Sequence, residues 1–221
     1  MKGIQSFFQD WFSLDGFNIW KLNTPMDYVY FALILGGGFF LIWLSIRFLA
    51  SRRTPEGTAA RMARKLCRLG GMGAQVWQNV VVVSQRGRCV CPMLYAAREG
   101  VYVVQLYHFG LEVSGSASSK YWTLAFNKDV RQEPNPLDGM DEQVVVINRV
   151  LGRAGLGHVP VEKLVLFADV YGRPRLYLRG VDCAVVRQDL KKWRKKKKGM
   201  PAVDLAAVKK ALEESFQDGP K

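Results

Sequence analysis

The sequence predicts an α/β or α+β domain with a central mixed sheet flanked by helices, preceded by one N-terminal transmembrane helix. Two observations lead to this prediction. First, residues 28–46 contain no charged side chain, and a helix of that length matches the roughly 30 Å hydrocarbon core of a bilayer. Second, beyond residue 54 the chain alternates between segments with helical caps and spacing and short runs rich in β-branched residues. This alternation is typical of helices packed on a sheet.

The uncharged segment reads YVYFALILGGGFFLIWLSI and shows no polar face. A helix in the core of a water-soluble domain usually keeps a polar face, whereas a helix in lipid has to satisfy only its own backbone hydrogen bonds. Asp27 precedes the segment, and Arg47, Arg52 and Arg53 follow it. Because basic flanks stay on the cytoplasmic side, we predict a single-pass protein of the cell membrane. Its N-terminus is expected outside and its C-terminal domain in the cytoplasm.

The predicted span occupies residues 27–50, and residues 1–26 are predicted to form an extracytoplasmic segment. This segment is rich in aromatic residues, and Phe7, Phe8 and Trp11 lie on one helical stripe. Aromatic side chains are common at the headgroup boundary of a membrane. We therefore predict a short interfacial helix, with a poorly ordered terminus as the alternative.

Residues 51–190 are predicted to form the cytoplasmic domain, which begins with a helix. Thr54 is a suitable capping residue for this helix, and Gly70 is suited to its end. Strands are predicted at residues 76–83, 88–96, 101–106 and 121–126. Pro92 has no amide hydrogen, which predicts a sheet edge or a bulge at that position. The polar residues 111–119 predict a loop.

The second half of the domain is predicted to contain a connection, a helix, short strands and two further helices. The connection covers residues 132–139, and Asp138 is the predicted N-cap of the helix. Further strands are predicted at residues 164–170, 176–178 and 183–186. A basic helix begins at Asp189, and residues 201–216 are predicted to form an amphipathic helix. Residues 191–221 are accordingly assigned to a separate C-terminal segment.

The cysteines and histidines do not indicate a metal site. Cys89 and Cys91 alternate along a predicted strand and point to one face, but they lack CxxC spacing and a second ligand pair. We interpret them as small, buried apolar side chains. His108 follows an apolar strand and His158 lies beside a proline, so both are interpreted as structural or solvated. The sequence predicts no cofactor.

Three local features occur in a characteristic order. They are the strand sequence GVYVVQLY at residues 100–107, Trp122 in the segment that follows, and Asn-Pro-Leu at residues 135–137, which opens a helix. Together with the preceding span and basic helix, this order resembles the nuclease-related domain family and covers roughly residues 54–190. The resemblance implies a restriction-endonuclease-like fold.

The resemblance also implies where catalytic groups are expected. In that family, a carboxylate on the second hairpin strand and a Glu-x-Lys at the end of the third hold a divalent cation and offset charge on the phosphate. In this sequence those positions fall on or next to Pro92, on Gln105 and on Tyr107. None of the three supplies the required charge, so we predict a catalytically degenerate domain without a metal. An active metal-dependent nuclease with a rearranged site is the alternative.

Seven of the eight residues at positions 191–198 are Lys or Arg. Like charges packed so closely repel each other unless a polyanion is near. The predicted polyanion-binding residues are Lys191, Lys192, Trp193, Arg194, Lys195, Lys196, Lys197 and Lys198. Anionic headgroups and nucleic acid both suit these charges, and Trp193 could enter a membrane interface or stack on an unpaired base. A solvated, flexible link is the third interpretation.

The overall charge agrees with a polyanionic partner. The formal net charge is +13, and without the two Lys and three Asp of residues 1–46 the chain keeps 30 basic and 16 acidic residues. We predict a single-span membrane protein that presents its degenerate nuclease-related domain as a binding or scaffolding module. Its expected partners are the lipid bilayer, nucleic acid or anionic headgroups, and a protein partner in the membrane. A structural subunit of a membrane complex is the alternative.

Overall fold

The computed structural model describes residues 25–51, 54–85, 87–108, 112–126, 128–168, 172–197, 199 and 201–217. Most of the predicted interfacial segment, residues 1–24, lies outside the described residues, and so does Lys198. The chain divides into two compact units, Met1–Thr54 and Pro55–Lys221. The predicted C-terminal segment, residues 191–221, thus belongs to the same compact unit as residues 55–190.

Helix α1, Pro25–Ser51, covers the predicted membrane span. The 21 residues from Tyr28 to Phe48 are long and apolar enough to cross a membrane, and their most apolar stretch is not buried within the protein. The whole helix α1 has 27 residues, which correspond to a length of about 40 Å. A helix that is apolar all round needs an apolar environment. The prediction of one N-terminal apolar helix is confirmed.

The unit Pro55–Lys221 is a mixed α/β structure. Its helices in the described residues are α2 (Pro55–Gly70), α3 (Pro136–Arg153), α4 (Leu190–Lys197) and α5 (Leu205–Glu213). Its strands there are β1 (Gln75–Ser84), β2 (Gly87–Ala97), β3 (Gly100–Tyr107), β4 (Glu112–Ser116), β5 (Tyr121–Phe126), β6 (Asp129–Pro134), β7 (Val161–Phe167), β8 (Arg175–Arg179), β9 (Ala184–Val186) and β10 (Phe216–Gln217).

The described strands form a main sheet in the order β10-β1-β2-β3-β7-β9. The pairs from β10 to β3 are antiparallel, whereas β7 is parallel to β3 and β9 is parallel to β7. Parallel neighbours need a long crossover connection, and α3 lies in the connection between β3 and β7. The prediction of a mixed sheet flanked by helices is therefore confirmed.

A second, smaller sheet has the order β6-β5-β4-β8, and the sequence did not predict it. The prediction of a loop at residues 111–119 is wrong over β4, and the predicted connection at 132–139 begins with the end of β6. Both strands are short and polar, so their sequences carry a weak strand signal. Pairing of β4 with β5 and with the distant β8 forms the ladder instead. Trp122 lies in β5, the strand that the sequence predicted at residues 121–126.

Helix α2 begins and ends where the sequence predicted. Met62, Ala63 and Leu66 are buried against the main sheet because helical spacing places them on one face. At Gly70 a Cβ atom would lie 2.3 Å from the Cβ of Ala74, so only glycine fits where the helix end meets the sheet. The helix is therefore held close to the sheet at its C-terminal end.

Apolar side chains cover both faces of the main sheet. On one face, α2 and α4 pack on a cluster that includes Leu66, Tyr102 and Leu190. On the other face, α3, α5 and the inner side of the small sheet share a cluster that includes Ile147 and Trp122. Burying apolar surface on both faces gives the sheet a complete core.

The caps of α3 and α5 correct the sequence prediction. The N-cap of α3 is Asn135 and not Asp138, because the Oδ1 atom of Asn135 accepts the backbone N–H of Leu137 at 3.1 Å. Helix α5 is shorter than predicted and begins after Asp204, whose Oδ1 atom accepts the N–H of Ala206 at 2.9 Å. The end of the predicted helix instead forms β10, which pairs with β1.

At Pro92 the strand β2 is paired on one side only, which agrees with the predicted sheet edge; the register of β1 with β2 is the same before and after Pro92, so the position is not a bulge. The register includes Gln78 with Met93 and Val80 with Cys91 but omits Pro92, and Asn79 has a φ of 51°. A missing amide hydrogen interrupts the hydrogen-bond ladder in this way. The β2–β3 register starts only beyond this point, at Leu94.

Candidate functional site

Helix α4 presents two different faces. Leu190 and Arg194 are buried, and Trp193 and Lys197 are half-buried. These positions follow the i, i+3, i+4, i+7 spacing of a helix face that packs on a core. The other face exposes four lysines, which are Lys191, Lys192, Lys195 and Lys196. A run that reads as uniformly basic in sequence is therefore an amphipathic helix.

Arg194 connects α4 to the interior of the domain. Its guanidinium forms an ion pair with Glu99, and only 7% of each side chain is exposed. Its Nε atom donates to the carbonyl of Leu69 at 3.2 Å, and Nη2 donates to the carbonyl of Gly70 at 3.1 Å. The planar guanidinium suits several simultaneous acceptors. The predicted contact of Arg194 with a polyanion is thus replaced by internal contacts.

Trp193 packs against the main sheet. Its ring lies 5.1 Å from the ring of Tyr102, at an interplanar angle of 71°, and Tyr102 stacks on Tyr95 at 5.6 Å. Burial raises the pKa of Tyr95 to about 12. Burial also raises the pKa of Tyr102, and the nearby charge of Glu162 adds to that rise. Both phenols are therefore neutral at physiological pH, and the indole belongs to an aromatic cluster.

Lys197 is also engaged within the domain. Its Nζ atom donates to the Oε1 atom of Glu162 at 2.8 Å, and 25% of its side chain is exposed. A partly exposed ion pair of this kind contributes little to stability, but it neutralises the lysine charge. Among the described residues predicted to bind a polyanion, the structure thus leaves the four exposed lysines of α4 for that role.

Helix α2 adds further positive charge beside α4. The Nζ atom of Lys65 donates to the carbonyl of Arg187 at 2.6 Å. Burial lowers the pKa of Lys65, and the positive charges of Arg187, Lys191 and Arg68 lower it further. The hydrogen bond from Lys65 to Arg187 joins α2 to the residues directly before α4, so basic residues of the two helices lie close together. The sequence could not indicate this convergence, because α2 and α4 are more than a hundred residues apart.

We define the basic surface as Arg64, Lys65, Arg68, Arg187, Lys191, Lys192, Lys195 and Lys196. Arg64 and Arg68 are exposed one helical turn apart on α2. Within the described part of the chain, none of these eight side chains forms an ion pair with an acidic residue. Concentrated, uncompensated positive charge attracts polyanions.

Pro92, Gln105 and Tyr107 do not form a charged site. Gln105 and Tyr107 lie near the end of β3, and Tyr107 stacks on Phe167 at 5.3 Å. Burial and the nearby Glu133 raise the pKa of Tyr107 to about 12, so its hydroxyl is neutral at physiological pH. Pro92 is exposed on β2. These positions therefore offer neither a carboxylate for a cation nor a fixed positive charge for a phosphate.

The two acidic residues that flank β3 in sequence, Glu99 and Glu112, lie in different parts of the domain. Glu99 is buried in its ion pair with Arg194, whereas Glu112 begins β4 in the small sheet and lies 3.7 Å from Arg175. In the part of the chain that the structure describes, no three His, Cys, Asp or Glu residues lie close enough to hold a metal ion. The Sγ atoms of Cys89 and Cys91 are 3.7 Å apart and lie on the same face of the sheet.

Comparison with known proteins identifies no relative of this chain. No family model matches it, and no curated protein or solved structure matches it. Two features of the chain itself bear on its function. These are the basic surface of the unit Pro55–Lys221 and the apolar helix α1.

Proposed function

We propose that this chain is a single-span membrane protein whose cytoplasmic domain binds anionic lipid headgroups through the basic surface. The observation that supports this function best is the convergence of exposed Lys and Arg side chains from α2 and α4. Each basic residue near an anionic leaflet contributes about 1 kcal/mol to binding. Residues 52–54 alone separate α1 from α2 in sequence, so a spanning α1 tethers the domain at the membrane.

The proposed orientation places the N-terminus outside and the domain in the cytoplasm. The excess of Lys and Arg that follows α1 supports this orientation, because basic flanks are retained in the cytoplasm. The cytoplasmic leaflet also carries the anionic lipids to which a basic surface is attracted. Orientation and lipid binding are therefore consistent with each other.

The packing of Trp193 favours lipid over nucleic acid at the basic surface. An indole can stack on an unpaired base only when its face is accessible, and Trp193 is packed against Tyr102. The exposed side chains of α4 are lysines, so this helix attracts a ligand through charge alone. Diffuse electrostatic attraction is the mode by which basic helices bind anionic membranes.

We further propose a nuclease-related domain that binds or scaffolds without cleaving nucleic acid. The order of α2, the antiparallel strands β1–β3, α3 and the parallel strand β7 supports this proposed fold. The uncharged groups at Pro92, Gln105 and Tyr107 support the absence of cleavage. A protein partner within the membrane would complete such a scaffold.

The lipid proposal predicts that neutralising α4 weakens vesicle binding. In purified residues 55–221, we expect Lys191→Gln with Lys192→Gln to weaken binding to anionic vesicles by up to about 30-fold, since each of the two lysines contributes about 1 kcal/mol. Cosedimentation at several salt concentrations measures this effect, which salt should diminish. The matched control is Lys209→Gln with Lys210→Gln on α5, which removes the same charge elsewhere. Equal losses in the two variants, or no loss in either, would contradict the proposal.

The degenerate site predicts that the protein does not cleave nucleic acid. Purified protein should leave labelled DNA and RNA intact in the presence of magnesium or manganese, because no described acid cluster can hold the ion. Gel electrophoresis after prolonged incubation measures the fraction cut. Metal-dependent cleavage that reappears in a second, independent preparation would favour the rearranged nuclease instead.

A further inference from the structure

The small sheet has a buried inner face and an exposed outer face. Side chains alternate between the two faces along each strand. Val113, Trp122 and Leu124 point inward and are buried in the core. Their neighbours point outward, and the outward residues of β8 are all exposed. The outer face is therefore a four-stranded platform on the unit Pro55–Lys221.

Two tyrosines and two arginines lie on this outer face. Tyr177 is 57% exposed and Tyr121 is 48% exposed. Arg175 and Arg179 lie two residues before and after Tyr177 on β8, so all three side chains share one face. The Nζ atom of Lys120 lies 5.5 Å from the centre of the Tyr121 ring. Tyr121 thus has a cation next to its ring, and Tyr177 lies between two arginines along its strand.

The spacing of these groups is regular. Along β8, the Cα atom of each arginine is about 6.6–6.8 Å from the Cα atom of Tyr177, because a strand rises about 3.3–3.4 Å per residue. The registers of β4 with β8 and with β5 place Tyr121 two strands away from β8, a lateral distance of about 10 Å. Ser114, Thr123 and Gln132 occupy the same row as Tyr177 and supply donors and acceptors on the outer face.

We propose that the outer face of the small sheet binds single-stranded nucleic acid. Unpaired bases would stack on Tyr177 and Tyr121, and backbone phosphates would contact Arg175 and Arg179. Exposed aromatics on a four-stranded sheet bind single strands in this way, and stacking accepts any base because every base has a flat face. This site is distinct from the basic surface and does not depend on the lipid proposal.

Charge and shape both favour this ligand. Arg179 forms no ion pair among the described residues. Arg175 forms a long ion pair with Glu112, with its Nη1 atom 3.7 Å from the Oε1 atom of the glutamate. The face is therefore positive overall, which suits phosphates. A duplex keeps its bases stacked on one another and cannot place them on tyrosine rings. An anionic membrane requires charge but not two flat, exposed rings set on a rigid sheet.

The test uses the full chain in a zwitterionic detergent and a fluorescent oligothymidylate, with labelled RNA and duplex DNA for comparison. Fluorescence anisotropy should show binding of the single strands. Tyr177→Ala or Tyr121→Ala should weaken that binding by about 5- to 150-fold, because one stacked base is lost. Tyr177→Phe keeps the ring and should bind like the unaltered protein. Arg179→Gln should reduce the salt dependence by about one phosphate contact.

Several outcomes would overturn this proposal. They are no binding of single strands, equal binding of duplex, or unchanged affinity in both alanine variants whose thermal unfolding matches that of the unaltered chain. Loss of binding in the Lys191→Gln, Lys192→Gln variant alone would place nucleic acid at the basic surface. Conversely, Tyr177→Ala should leave vesicle binding unchanged. The two proposals therefore fail separately.

Discussion

Replacing Arg194 with Met is expected to lower the free energy of unfolding by about 3–5 kcal/mol. The change leaves the Glu99 carboxylate, which is 5% exposed as a residue, buried without its cation. It also removes the donor to the carbonyls of Leu69 and Gly70. An uncompensated buried charge costs more than the lost ion pair itself contributes. Denaturant unfolding of residues 55–221 measures the difference.

Two further variants make the Arg194 experiment specific. Lys195→Met removes the adjacent exposed cation and should change stability by no more than about 0.5 kcal/mol. Combining Glu99→Gln with Arg194→Met removes both charges and should recover a large part of the loss, because no buried charge then lacks a partner. A loss for Arg194→Met no larger than that for Lys195→Met would show that the pair is not buried.

The same variant has a consequence for the basic surface. Arg194, in the middle of α4, attaches this helix to the C-terminal end of α2, and the exposed lysines of α4 depend on that attachment for their position. At a temperature where the domain stays folded, Arg194→Met should therefore weaken binding to anionic vesicles, while Lys195→Met weakens it only by the loss of one charge. This comparison separates positioning of the helix from charge.

Replacing Trp122 with Ala is expected to lower the free energy of unfolding by about 3–5 kcal/mol. The side chain is fully buried, with 0% exposed. Its indole N–H donates to the carbonyl of Ser116 at 3.0 Å, and its ring centre lies 6.5 Å from that of Phe167 at the end of β7. The ring therefore joins the small sheet to the main core, and its removal would leave a cavity between them.

Tyr121→Ala is the matched control for the Trp122 experiment. Tyr121 is the adjacent residue on β5 but points outward, so its loss should cost less than about 1 kcal/mol. Hydrogen exchange adds spatial detail, since Trp122→Ala should reduce the protection of β4 and β5 more than that of β2 and β3. Equal destabilisation by the two alanine variants would contradict the placement of the indole between the sheets.

Local patterns were sufficient to predict the helices and the long strands. The uncharged segment predicted α1, and helical spacing with a capping residue predicted α2. A run of β-branched residues predicted β1, and the turns that separate β2 from β1 and from β3 predicted β2. In each case the signal lies within about ten to twenty neighbouring residues, and burial of one face reinforces it. Pro92 also acted locally, because a residue without an amide hydrogen interrupts any ladder in which it lies.

Pairing between distant residues explains most of the errors. The strand β4 is short and polar, and its partner β8 lies about sixty residues later in the chain. No periodicity within Glu112–Ser116 could indicate that partner. The cap of α3 shows the same limit on a smaller scale, since Asn135 and Asp138 are both good capping residues. The chain geometry that pairs Asn135 with Leu137 decided between them.

The sequence by itself determined that this protein has one apolar helix long enough to cross a membrane, a strongly basic composition and no charged group at Pro92, Gln105 or Tyr107. These properties depend on which residues are present. Only the tertiary structure decided which basic residues face water and which are buried. Arg194 and its partner Glu99 are 95 positions apart, and burying a charge is tolerated only where folding brings its partner to it.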